Sequence, residues 1–209
     1  MCMTLDLFAS ESNGSCVCTQ IAMPDADVCL YSSIFSESDA DLLFSALKQE
    51  IIWEQEQIEM YGRVHNVPRL TAWYGDEFKT YTYSGITAHS RSWTNSLLTI
   101  KDRIESISSL KFNSVLLNLY RSGNDSVSWH SDDEPELGRN PIIASLSLGQ
   151  TRTFQMKHKT KPTEKQKIVL KHGDFLLMKG CTQHHWLHQI PKSRTSMQER
   201  INLTFRVVE

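Results

Sequence analysis

Missing from this 209-residue chain is any unbroken apolar stretch long enough to form a membrane-spanning helix. Its opening, Met1-Cys2-Met3-Thr4-Leu5-Asp6, lacks the basic segment and apolar run of a secretory signal. An intracellular protein is therefore expected, cytoplasmic in a bacterium or nuclear in a eukaryote. The five cysteines (Cys2, Cys16, Cys18, Cys29 and Cys181) are odd in number, and only Cys16 and Cys18 are close in sequence. That pattern fits neither a disulfide framework nor a four-cysteine zinc site. No His-Glu-x-x-His, glycine-rich phosphate loop or Gly-x-Ser-x-Gly elbow occurs, which removes the commonest zinc-hydrolase, nucleotide-binding and serine-hydrolase signatures. Internal repeats, low-complexity tracts and linkers are also missing. The net charge of −2 gives no overall attraction to nucleic acid. Locally, Lys157, His158, Lys159, Lys161, Lys165, Lys167 and Lys171 are opposed only by Glu164. A solvated hairpin explains such a run as readily as a phosphate-binding patch.

What remains is an ordinary globular balance, 40% hydrophobic and 22% charged, in a length suited to one well-buried domain. Residues 1–25 are polar and weakly patterned and read as a loosely held arm, with residues 26–209 as a single domain. Val28 to Phe35 reads as a strand. Ser36 and Asp39 give a capping-box signal ahead of Leu42, Leu43, Leu47 and Ile51 at helical spacing. A second helix is predicted from Thr94 to Ser108, with Leu97, Ile100, Ile104 and Ile107 on one side. Between them, Tyr61 to Trp93 reads as short strands and loops. From Phe112 onward, short runs of branched and aromatic residues recur between turn signals: 114–120, 142–148, 152–158, 168–170, 174–178, 184–190 and 201–208. Strands this closely spaced predict a sandwich or jelly roll flanked by helices, an α+β chain that is mainly β.

Two segments in that β region carry chemistry. In Trp129-His130-Ser131-Asp132 an imidazole and a carboxylate stand two apart, and on an extended chain they point the same way. With a second histidine they would make a two-histidine, one-carboxylate face, the set that leaves positions open on Fe(II). His184, His185 and His188 are the candidates; alternation along a strand puts His184 and His188 on one side and His185 on the other. A bare His-x-Asp is common on protein surfaces, so it does not identify a metal site by itself. The second segment is Arg200-Ile201-Asn202-Leu203-Thr204-Phe205-Arg206, which alternates strictly. Its polar face would normally meet water. Two arginines bracketing Asn202 and Thr204 would instead suit a small dicarboxylate, because guanidinium pairs with carboxylate through charge-assisted hydrogen bonds. Asn118 and Tyr120 match this face in parity.

Together these residues resemble the catalytic core of the AlkB family of nucleic-acid demethylases. The resemblance runs through Asn118-Leu119-Tyr120, His130-Ser131-Asp132-Asp133-Glu134, Pro141 to Gly149, Phe154 to His158, His172-Gly173-Asp174, His185 to His188 and Arg200 to Arg206. Upstream, Val67-Pro68-Arg69, Trp73 to Asp76 and Tyr81 to Gly85 resemble the family's substrate lid, most like the branch that acts on duplex DNA. The resemblance implies a double-stranded β-helix (jelly-roll) core over 112–209, preceded by helices and a nucleotide-recognition lid over 26–111. It implies Fe(II) bound by His130, Asp132 and His188, and 2-oxoglutarate bound by Arg200 and Arg206 with Asn118, Tyr120 and Thr204. The resemblance also implies O2 as the co-oxidant. The substrate it implies is alkylated DNA carrying 1-methyladenine or 3-methylcytosine, with RNA or a protein side chain as the alternative, handled by a monomer away from membranes. Tyr83 corresponds to the lid aromatic that stacks on a flipped base, with Tyr81 and Thr82 beside it. Asp133 corresponds to an acid beside that base. Tyr61, Gly62 and Arg63 correspond to the duplex-reading finger, with tyrosine where relatives carry phenylalanine. No catalytic residue beyond the metal ligands is implied.

Overall fold

The computed structural model describes residues 17–60, 62–76, 80–83 and 86–209, with the side chains of 60 and 80–89 excluded. In chain order the elements are β1 (Cys18–Gln20), β2 (Asp27–Tyr31), α1 (Glu37–Glu50), β3 (Gln57–Met60), β4 (Arg63–Asn66), β5 (Leu70–Gly75), β6 (Thr80–Tyr83), β7 (Ile86–His89) and α2 (Asn95–Ser108). The second half holds β8 (Ser114–Tyr120), β9 (Val127–His130), β10 (Ile143–Gly149), β11 (Arg152–His158), β12 (Lys165–Leu170), β13 (Phe175–Lys179), the single helical turn α3 (Thr182–His185), β14 (Trp186–Ile190) and β15 (Arg200–Arg206).

These strands make a seven-stranded sheet, β1-β2-β13-β10-β15-β8-β5, facing a four-stranded sheet, β12-β11-β14-β9. Two hairpins, β3-β4 and β6-β7, stand apart from both. The large sheet is covered on both sides. Ile201, Leu203 and Phe205 of β15 join Leu117 and Leu146 in a core shared with Leu43 and Leu47 of α1 and Ile100 and Ile104 of α2. On the other side, Tyr120, Ile143 and Met178 meet Phe154, Met156 and Trp186 of the small sheet. This is the expected jelly roll with flanking helices.

Local chemistry accounts for the helix starts. Ser36 Oγ accepts the Asp39 backbone N–H at 3.1 Å and donates to the Asp39 carboxylate at 2.6 Å, satisfying an orphan donor of the first turn. Thr94 Oγ1 caps α2 in the same way through Leu97 N at 3.3 Å. β8, predicted over 114–120, and β11, predicted over 152–158, have those bounds.

Other expectations need correction. The first predicted strand ends at Tyr31, not Phe35; Ser33 turns to a positive φ of 50° and donates its N–H to Asp174. β12 begins at Lys165, three residues before the predicted start, because its first residues, Lys165-Gln166-Lys167, are all polar and show no apolar alternation. The predicted strand 184–190 is a helical turn up to His185 and a strand only from Trp186, so alternation cannot relate His184 to His188. The arm is shorter than 1–25: residues 18–20 form an edge strand, and Pro24 accepts the Trp186 indole N–H at 2.8 Å. The remainder of the arm, residues 1–16, lies outside the described residues. Cys18 and Cys29 form a disulfide with Cα atoms 5.8 Å apart, against the expectation of none; their pairing follows from β1–β2 contact, which cysteine spacing does not show.

Candidate active site

β9 and β14 are neighbours in the small sheet, and their register sets His130 directly against His188. Antiparallel partners share a face, so both imidazoles turn toward the space between the sheets, with ring centroids 4.2 Å apart. Asp132, two residues beyond His130, is 3% exposed. The candidate ligand atoms of His130, Asp132 and His188 all lie within 4.8 Å of one another. His130 Nδ1–H donates to the Ser128 carbonyl at 2.8 Å, which leaves the Nε2 lone pair for a metal. Burial, then the neighbouring His130, pushes the His188 pKa down to about 3, so its imidazole is neutral at physiological pH. Burial opposes ionisation of Asp132, but Arg206 and the two histidines outweigh it and hold that carboxyl below its usual range. Two imidazoles and one carboxylate are the donor set of a facial mononuclear iron site.

The candidate histidines that sequence left open separate cleanly. His184 Nε2 is hydrogen-bonded to the Arg139 carbonyl and to Asn140. His185 lies with His158 and Asp25 in a second group whose atoms could also approach a metal. There, His158 Nδ1 accepts backbone N–H groups from Thr160 (3.2 Å) and Lys161 (3.1 Å). The proton therefore sits on Nε2 and is donated to Asp25 at 3.2 Å, while Lys161 Nζ reaches the same oxygen at 2.5 Å. Both ring nitrogens of His158 are thus engaged, with no lone pair of His158 aimed at a cation.

On the facing sheet, β15 presents Arg200, Asn202, Thr204 and Arg206 to the cavity instead of to water, with Asn118 and Tyr120 beside them on β8. Arg200 is 1% exposed and donates from Nη2 to Ser147 Oγ at 2.8 Å. Its Nε and Nη1 are buried without a hydrogen-bond partner. Burial lowers its pKa to about 10, still well above neutrality, so a charged guanidinium with unmet donors faces the cavity. Such a group costs several kcal/mol, about 3–5 when a buried charge lacks its partner, and is retained where an anion binds. The Tyr120 ring lies 5.2 Å from Arg200 and 5.5 Å from Arg152, which fixes it between two cations. Arg206 Nη2 donates to Asp132 Oδ1 at 2.5 Å, a contact not anticipated for a residue expected to hold cosubstrate. A guanidinium has five donors, so the two roles are compatible.

Two further residues escaped the sequence reading. Arg69, grouped with the lid, is buried and donates from Nε to Asn118 Oδ1 at 2.6 Å. Gln183 is fully buried, and its Oε1 accepts the Asp132 backbone N–H at 3.1 Å. Both lie within recognisable motifs, but only contacts distant in sequence reveal their roles. Of the expected substrate residues, Asp133 is exposed and bonded to Lys159 at 3.0 Å, and it is not among the residues that line the cavity. Gly62 and Arg63 are exposed on the β3–β4 hairpin. Tyr61 lies outside the described residues. The backbone of Tyr81, Thr82 and Tyr83 runs in β6 against β7, and their side chains lie outside the described residues.

Residues 27–206 match the family model of the 2OG-Fe(II) oxygenase superfamily. Over 190 residues the chain is 47% identical to the human alpha-ketoglutarate-dependent dioxygenase alkB homolog 3, covering 87% of this chain and 66% of that relative. The chain thus spans just under two thirds of the length of that relative. It is 36% identical to the human DNA oxidative demethylase ALKBH2 over 190 residues, 86% of this chain and 73% of that one. The solved structure of OsALKBH1 superposes with a TM-score of 0.61 at 19% identity, covering 90% of this chain and 99% of that chain, which bears on the fold alone.

Proposed function

Because the chain belongs to the 2OG-Fe(II) oxygenase superfamily, we propose that it oxidatively demethylates N-alkylated bases, such as 1-methyladenine and 3-methylcytosine, in DNA. The observation that carries this reading is one cavity with the His130–Asp132–His188 cluster, its Asp132 and His188 buried, on one wall and the unpartnered donors of Arg200 on the other. Fe(II) held by His130, Asp132 and His188 would, with 2-oxoglutarate and O2, supply the oxidation that turns an N-methyl group into formaldehyde and turns the cosubstrate into succinate and carbon dioxide.

The chain's own residues supply placement and charge. Arg200 would take one cosubstrate carboxylate on Nε and Nη1, and Arg206 would approach the other from its place beside Asp132. Asn118, held by Arg69, and Thr204, held by Asn202 at 3.2 Å, present polar groups along the same wall. Phe154, stacked on the His188 ring at 5.1 Å on the metal-cluster wall, and Met178 of β13 line the cavity with apolar groups that would exclude water. Asp133, the residue after Asp132, is the acid we assign to the cationic ring of a methylated adenine or cytosine. A base in a duplex must leave the stack to reach this depth; Tyr81 to Tyr83 and Tyr61 to Arg63 are the residues we assign to that extrusion.

Support for a nucleic-acid partner comes from the outward face of the small sheet. Lys157 pairs in register with Lys165 and lies 4.4 Å over the Trp129 ring, and Lys167 pairs with Gln155. These three lysines share one face, suited to a phosphate backbone. Lys159 and Lys161 of the same basic run are instead paired with Asp133 and Asp25.

The test is formaldehyde release, with Fe(II), ascorbate and 2-oxoglutarate, from an oligonucleotide bearing one 1-methyladenine, as duplex and as single strand. Release from the duplex supports the reading with its finger. Release from the single strand alone keeps the chemistry and removes the duplex assignment. Release from neither removes the DNA substrate and moves the search to RNA or protein.

A further inference from the structure

Asp132 lies past the end of β9 (Val127–His130), beyond the last pair of the β9–β14 ladder, which joins His130 to His188. Its backbone N–H is buried and is met by a side chain instead of a strand: Gln183 Oε1 accepts it at 3.1 Å. A main-chain donor shut away from water needs such a partner. Gln183 reaches this point because the chain makes the helical turn α3 between β13 and β14. Thr182 fixes that turn, its Oγ1 accepting the Asp27 N–H at 2.9 Å and donating to the Lys179 carbonyl at 2.5 Å. The Trp186 N–H closes it on the Thr182 carbonyl.

The Gln183 side chain is fully buried, and its Nε2 donates to Met178 Sδ at 3.7 Å, a weak acceptor on a residue that lines the cavity. These two neighbours fix which end of the amide is oxygen, since only the oxygen can accept from Asp132. The Asp132 carboxylate is held separately. Oδ1 accepts from Arg206 Nη2 at 2.5 Å, while Oδ2 faces His188 Nε2 at 3.7 Å. Arg206 therefore holds one oxygen of the side chain, and Gln183 holds the backbone from which that side chain springs. With both points fixed, Oδ2 stays beside the ring nitrogen of His188.

We infer that Gln183 is a positioning residue for the metal site: by holding the Asp132 backbone it keeps the carboxylate where it and the two imidazoles can bind one ion. This inference rests on the reading of His130, Asp132 and His188 as metal ligands. Partners that hold a ligand without touching the metal change metal affinity about ten- to a hundredfold when removed. The competing role is purely structural, the satisfaction of one buried N–H, whose loss lowers stability and leaves metal affinity as it is.

The experiment uses Co(II) as the probe, because its visible absorption reports occupancy and coordination geometry without turnover. Metal-free wild-type protein, Gln183→Met, Gln183→Glu and Leu47→Ala are each titrated with Co(II) and each melted without metal. Gln183→Met conserves volume and removes the acceptor; it should weaken Co(II) binding about ten- to a hundredfold and change the spectrum at saturation. Gln183→Glu keeps an oxygen at the same reach and should bind Co(II) at or above the wild-type level. Leu47→Ala, in the core shared with α1, should lower Tm yet keep Co(II) affinity within about twofold, as expected of a distant site. A lower Tm in Gln183→Met with wild-type affinity and spectrum overturns the assignment, and so does an affinity loss that Leu47→Ala matches. Should Gln183→Met not fold, Gln183→Glu decides: unchanged or tighter binding supports the acceptor role, and a fall of about tenfold overturns it. Wild-type protein that binds no Co(II) removes the metal reading itself; wild-type binding that Gln183→Met leaves unaltered removes only the role of Gln183.

Discussion

Arg206 and Asp132, 74 residues apart in sequence, form a buried ion pair in which Nη2 donates to Oδ1 at 2.5 Å. A candidate metal carboxylate is thus ionised before any metal arrives, and the last strand of the sheet is tied to the end of β9. Replacing Arg206 by Met leaves that carboxylate buried and uncompensated, and should lower apoprotein stability by about 3–5 kcal/mol. Adding Asp132→Asn to the same chain should recover much of the loss. Urea unfolding of the single and double variants, without added metal, measures both quantities.

Arg200→Met should behave in the opposite way. It removes buried donors that have no partner, so the apoprotein should keep or gain thermal stability. Affinity for 2-oxoglutarate should fall at least about a hundredfold, because a charge-assisted carboxylate contact is lost. Calorimetric titration with 2-oxoglutarate, paired with a melting curve, checks both halves. A large fall in Tm with unchanged affinity would make Arg200 a structural residue.

Arg69→Met should release the Asn118 amide without touching the metal cluster. The expected signature is a rise of about tenfold in KM for 2-oxoglutarate with kcat nearly unchanged, the pattern of lost binding uniform between ground and transition states. Steady-state kinetics with 2-oxoglutarate varied at saturating methylated oligonucleotide separates the two constants.

Acid stability follows from the loop that leads into β9. Burial would raise the pKa of Asp125, but hydrogen bonds from the Arg121 guanidinium and backbone N–H, together with the charges of Arg121 and Arg152, hold it below the usual range. A depressed carboxyl contributes stability above its unfolded pKa, about 3.9, and loses it as pH falls through the folded value. Unfolding free energy should therefore drop between about pH 5 and pH 2, and Asp125→Asn, less stable at neutral pH, should flatten that drop. Denaturant titrations across that range measure the slope.

Much of this was legible in the sequence where local patterning and final environment agree. β8 and β11 alternate between turn signals, and α1 carries its own cap at Ser36. The polar face of β15 pointed to an anion site because two arginines flank it; the structure adds that this face is buried, which only the covering small sheet reveals. Sequence alone left the third metal histidine open, since the parity argument assumed a strand through His184 where the chain makes a helical turn. Arg69 and Gln183 were missed for a different reason. Each acts through one hydrogen bond to a residue 49 or 51 positions away, and no periodicity records such contacts. The Cys18–Cys29 pair was hidden likewise, because it depends on an edge strand of three residues.

The most direct test of the central claim is the stoichiometry of succinate to formaldehyde on an oligonucleotide containing 1-methyladenine, for wild-type protein and for Asp132→Ala. Coupled demethylation at the His130–Asp132–His188 site predicts one succinate per formaldehyde in the wild type and neither product from the variant. Formaldehyde released without matching succinate, or undiminished release by Asp132→Ala, would contradict it.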